Sequence, residues 1–95
     1  MKFSDLEWKR TPNNLGRGAT LWFSNDYGVS VSRGTNTVGG PQGLYEVMVL
    51  LKSEREPGNF EVVEVDGKKM VRGHLTEDQV VGISSDIENM RKGEL

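Results

Sequence analysis

Cysteine is absent from this 95-residue chain. No disulfide framework, thiolate nucleophile or thiolate metal site is available, and a reducing compartment is permitted. Histidine occurs once, at His74, and an imidazole without a partner nearby reads as structural or superficial rather than catalytic. Positive charge is not in excess: 12 basic residues face 14 acidic ones, a formal net charge of −2. That removes the electrostatic basis for sequence-independent nucleic-acid binding, so nucleic acid is not an expected partner. No window approaches a bilayer span, no basic stretch followed by an apolar run opens the sequence, and no Asn-x-Ser/Thr acceptor occurs. These absences point to a cytosolic protein with no membrane contact. Walker and dinucleotide motifs, a nucleophile–base pair and a metal cluster are also missing, so neither an enzyme nor a cofactor is expected.

What remains is a globular composition, 35% hydrophobic and 27% charged, expected as a single domain over residues 1–95. A chain this short buries only about two thirds of its unfolded surface, and a homo-oligomer is a natural way to bury more.

Strands and loops dominate from Phe3 to Glu64. Phe3–Arg10 reads as a short amphipathic segment, an edge strand or a turn of helix, with strand preferred. Thr11–Gly18, with Pro12, Asn13, Asn14, Gly16 and Gly18, reads as an exposed loop. Ala19–Ser24 alternates with period two, and Asn25-Asp26 turns the chain into a return strand, Val29–Arg33. On that strand Val29, Val31 and Arg33 share one face, so Arg33 ends an apolar row. Gly34–Gly43 is a long connection holding four glycines, and Leu44–Leu51 is apolar on both parities except at Glu46, as befits a central strand. A charged loop with Pro57-Gly58 as its turn precedes a hairpin at Asp66-Gly67. A two-residue turn there sets Val65 against Lys68, Glu64 against Lys69, Val63 against Met70, Val62 against Val71 and Glu61 against Arg72. Thr76 and Gln79 form a capping box with Leu75 and Val80 as its hydrophobic staple, which predicts a C-terminal helix over 76–91. Its apolar stripe is Val80, Ile83, Ile87 and Met90, and Gly82 within it suggests close approach to a neighbouring backbone. The expected fold is α+β: a small antiparallel sheet of about four to six strands with one amphipathic helix on a face.

The middle of the chain carries the candidate site. Arg33 followed by Gly39, Gly40 and Gln42 can form a polar pocket, with backbone N–H groups and a guanidinium fork directed at a phosphate or carboxylate. The same residues also satisfy plain turn geometry. Arg17 is a second candidate cation, and Tyr27, Trp22 and Tyr45 are aromatic neighbours able to stack on a base or to serve as core. Glu77 and Asp78 in the first helical turn repel an anion from the helix N-terminus.

The stretch Phe23-Ser-Asn25-Asp-Tyr27-Gly28, Ser30-Val31, Arg33-Gly34, Gly39-Gly40 and Gly43-Leu44-Tyr45-Glu46 resembles a pattern in short uncharacterised bacteriophage proteins, over about a third of the chain. The resemblance implies a phage origin, action in the host cytoplasm and a role in host takeover or anti-defence. The leading expectation is a non-enzymatic protein that sequesters a small anionic, nucleotide-like signalling ligand through Arg33, Arg17, Gly39, Gly40, Gln42, Tyr45 and Tyr27. The alternatives are an inhibitor or adaptor that binds a host protein, and a small structural or assembly protein.

Overall fold

The computed structural model describes residues 1–12 and 15–94. Lys9–Arg10 forms a short edge strand, β1, against β2 (Gly16–Trp22). Next come β3 (Tyr27–Gly34) and β4 (Tyr45–Lys52), each antiparallel to its neighbour. The registers stack Ala19, Val31 and Val47 in one row and Leu21, Val29 and Val49 in the next, and these side chains floor the core. A turn at Asn25-Asp26 joins β2 to β3, with Asp26 at φ 70°. The fold is therefore the expected α+β arrangement, a mostly antiparallel sheet of about six strands with one C-terminal helix.

Two early segments differ from expectation. Phe3–Asp5 is a 3-10 turn, the helical alternative and not the preferred strand, because the Asp5 carboxylate accepts the Lys2 N–H at 2.8 Å and curls the chain. Strand begins only at Lys9. The loop expected through Gly18 ends sooner, since Gly16, Arg17 and Gly18 already belong to β2. Gly16 fits there because a Cβ would strike the Arg33 carbonyl and Gly34 Cα across the ladder. Asn13 and Asn14, also expected in that loop, lie outside the described residues.

Beyond β4 the sheet has an unusual edge. β5 (Phe60–Val62) pairs with Leu50–Lys52, while β8 (Val71–Leu75) pairs with Tyr45–Met48, both antiparallel and both on the same side of β4. They are two halves of one strand. Between them the chain leaves the sheet as a hairpin of β6 (Glu64–Val65) and β7 (Lys68–Lys69). The Asp66-Gly67 register holds for Val65–Lys68 and Glu64–Lys69, and Met70 N–H donates to the Val63 carbonyl at 2.8 Å. It stops there. Val62 and Val71, and likewise Glu61 and Arg72, do not face each other, because each arm instead bonds to β4. Val49 links both arms: its carbonyl accepts from Val63 N–H at 2.8 Å and its N–H donates to the Met70 carbonyl at 3.1 Å.

The helix α1 (Glu77–Glu88) packs on β3, β4 and β8. Thr76 Oγ1 accepts from Gln79 N–H, the Gln79 side chain accepts from Thr76 N–H, and the staple residues Leu75 and Val80 are buried. The helix stops at Glu88 rather than 91 because Asn25, from the β2–β3 turn, takes its last carbonyls. Asn25 Nδ2 donates to Ile87 and Met90 oxygens at 2.8 Å and lies 3.3 Å from that of Glu88. Asn25 Oδ1 meanwhile accepts from Tyr27 N–H at 3.0 Å, which shapes the turn itself. Gly82 makes no close approach: it is exposed, and a Cβ there would meet nothing within 4 Å.

Candidate functional site

The registers place three arginines in a line across the sheet, Arg10 opposite Arg17 and Arg17 opposite Arg33. Tyr45 continues the line on β4. Arg33 Nη1 lies 3.5 Å from the Tyr45 hydroxyl and its guanidinium carbon 5.6 Å from the Tyr45 ring centre, a cation–π contact. Period-two alternation puts Arg17, Arg33 and Tyr45 on the face that holds Ala19, Val31 and Val47, so the polar line begins where the apolar rows end.

The 3-10 turn at Phe3–Asp5 delivers two aromatics to the same place. Phe3, Trp8 and Tyr45 form a triangle with ring centres 5.3 to 5.9 Å apart. The result is a cleft of about 410 Å³ lined by Trp8, Gly16, Arg17, Arg33 and Tyr45. Gly43 backs it, since a Cβ there would sit 3.5 Å from Arg33 Nη2. Among the described residues neither Arg17 nor Arg33 takes part in an ion pair. Two like charges facing each other on adjacent strands destabilise the ladder, and an anion between them converts that repulsion into two charge-assisted contacts.

The structure thus brings together Arg17, Arg33 and Tyr45 and leaves the other candidates elsewhere. Tyr27 is buried in the core opposite Leu51. Gly39, Gly40 and Gln42 belong to a turn with its own internal hydrogen bonds: Gly40 N–H donates to Thr37, Gln42 and Leu44 N–H to Gly39, and Gly43 N–H to Gly40. These amides are not presented to an anion. The turn acts as a clamp instead. Val38 N–H donates to the buried Glu46 carboxylate at 2.8 Å, and His74 N–H donates to the Val38 carbonyl at 3.0 Å. Gly39, at φ 90°, lies so close to His74 that a Cβ would come within 2.7 Å of its Cα. His74 itself, at φ 56°, marks the bulge where β8 slips register against β4.

Sequence reasoning missed Trp8. Its only local signal is the aromatic pair Phe3 and Trp8 in a polar segment, and nothing local tells which strand end they cover. Trp22 lies on the opposite face of the sheet, edge-on to Phe60 with ring centres 5.4 Å apart and with Lys52 Nζ 5.2 Å from its own ring centre. Among the described residues no three of His, Asp and Glu converge as metal ligands, and no helix is long and apolar enough to cross a membrane. Comparison with protein-family models, curated proteins and solved structures finds no match.

Proposed function

We propose that the chain is a non-enzymatic bacteriophage protein that captures a small anionic ligand of the nucleotide class in the Arg17–Arg33 cleft. Its role is to sequester a signalling ligand of host defence in the host cytoplasm, as a homo-oligomer. The observation that carries this reading is the facing pair Arg17 and Arg33, outside any ion pair among the described residues and flanked by Tyr45 and Trp8. A phosphate fits the planar guanidinium forks, and a base fits the aromatic wall, where stacking adds about 1 to 3 kcal/mol per base. Among the described residues the cleft lining holds no carboxylate, imidazole or thiol, which favours binding over turnover.

The test is a thermal-shift series with linear and cyclic nucleotides on the wild type, Arg17→Ala and Arg33→Ala. Ligand at 100 times its Kd stabilises by about 2.7 kcal/mol, a rise in Tm of at least several degrees for a domain this small. A shift that either substitution removes supports the assignment, and an equal shift in both variants overturns it. A second reading, direct contact with a host protein, draws on the apolar side chains left uncovered at Phe60, Val65 and Val71, which are 54%, 43% and 38% exposed.

A further inference from the structure

The β6–β7 hairpin is a detour the sheet does not need. β5 and β8 lie on one side of β4 as two halves of a strand, and Val63 and Met70 already meet at Val49. A two-stranded ribbon this short has little stability of its own. What the detour builds is a wall. Alternation along the hairpin puts Val63, Val65, Lys68 and Met70 on one face, and that face looks across a groove toward Ile83 and Asp86 of α1. The groove holds about 400 Å³ and shares no lining residue with the arginine cleft.

Its floor is apolar, made by Val47 and Val49 of the sheet with the half-buried Met70 and Ile83. Val65, on the inner face of the wall, is left 43% exposed. Its rim is basic. Lys68 shares the inner face with Val65, Arg72 lies opposite Val47 on the helix side of the sheet, and Lys69 adds a third cation, whereas Asp86 is the one acid in the lining. Among the described residues none of the three cations is in an ion pair. In a chain of net charge −2 this is a local reversal of sign over an apolar floor.

We propose that this groove docks an acidic segment of a partner protein, a bulky apolar side chain seated on Val65, Met70 and Ile83 with flanking carboxylates on Lys68 and Arg72. The cations choose the partner: the apolar floor alone accepts any hydrophobic group, whereas the rim repels basic segments and draws in acidic ones.

The probe is a fluorescein-labelled twelve-residue peptide of Asp and Glu around a central Trp-Leu pair, read by anisotropy beside the same peptide with Lys in place of every acid. The acidic peptide is expected to bind, and raising salt from about 0.05 to 0.5 M weakens it because the rim is exposed. Lys68→Glu with Arg72→Glu, both at exposed positions, weakens it at least about tenfold. Val65→Glu does the same from the wall, while Arg17→Ala and Arg33→Ala leave it unchanged, which separates this groove from the nucleotide reading. Equal binding of the Lys peptide, an unaltered affinity in the charge-reversed variant, or no binding up to about 1 mM overturns the proposal. A wild-type dimer in light scattering that Val65→Glu dissociates also overturns it, since the groove then belongs to a second copy of the chain.

Discussion

Gly82 and Gly39 illustrate how differently one residue type can be used. Gly82 is exposed on α1 with open space where a methyl group would go, so Gly82→Ala should stabilise the protein by roughly 0.5 to 1 kcal/mol in urea unfolding. Gly39 is left-handed and pressed against His74, so Gly39→Ala should destabilise by more than about 1 kcal/mol in the same measurement. Ser84 gives a third contrast. Its hydroxyl, on the buried face of α1, has no hydrogen-bond partner among the described residues, and Ser84→Ala should leave stability unchanged or raise it. The facing arginines belong to this scale too: with no ligand present, Arg17→Ala should melt at the wild-type temperature or slightly above it, because it removes a like charge opposite Arg33. Their partnership was half legible. Arg33 stands out at the end of an apolar row, whereas Trp8 reaches the cleft only through the turn closed by Asp5.

At the scale of elements, local chemistry was readable and competition between elements was not. The Asn25-Asp26 turn, the Asp66-Gly67 register and the Thr76–Gln79 capping box each depend on residues within a few positions of one another, and all three form as the sequence predicts. The extension of the Asp66-Gly67 hairpin to Val62–Val71 fails because β4 offers both arms a longer and more buried partner. The glycines of residues 34–43 looked like an anion cradle because a glycine count does not tell where amides point. Those of Gly40, Gln42 and Gly43 bond inside the turn, and contacts of Val38 with Glu46 and His74 fix that turn on the sheet. The detour itself yields a prediction: replacing residues 64–69 by one glycine should keep the circular-dichroism spectrum of the sheet and helix while abolishing binding of the acidic peptide.

Across the whole molecule, single side chains bind distant parts together. Asn25 joins the β2–β3 turn to the end of α1, and Asn25→Ala should lower stability by about 1 to 3 kcal/mol because it strands partly buried carbonyls. Lys92, after the helix, reaches Asp26 at 3.0 Å and Glu54 at 3.2 Å. Hydrogen bonding to Asp26 first, then to Glu54, lifts its amine above the ordinary lysine value. A raised folded-state value means this contribution is complete at neutral pH and is lost as pH climbs through that value. Lys92→Met should therefore unfold at lower urea concentration than the wild type at pH 8, with the difference closing only as pH rises beyond the ordinary lysine value. The interrupted strand has a consequence in time as well. A hairpin samples closure in about 1 to 10 μs, long before distant strands find one another, so the Asp66-Gly67 turn, too short to persist alone, still keeps the ends of β5 and β8 near each other until β4 fixes them. The segment that breaks the strand in space is, in time, a short tether between its two halves.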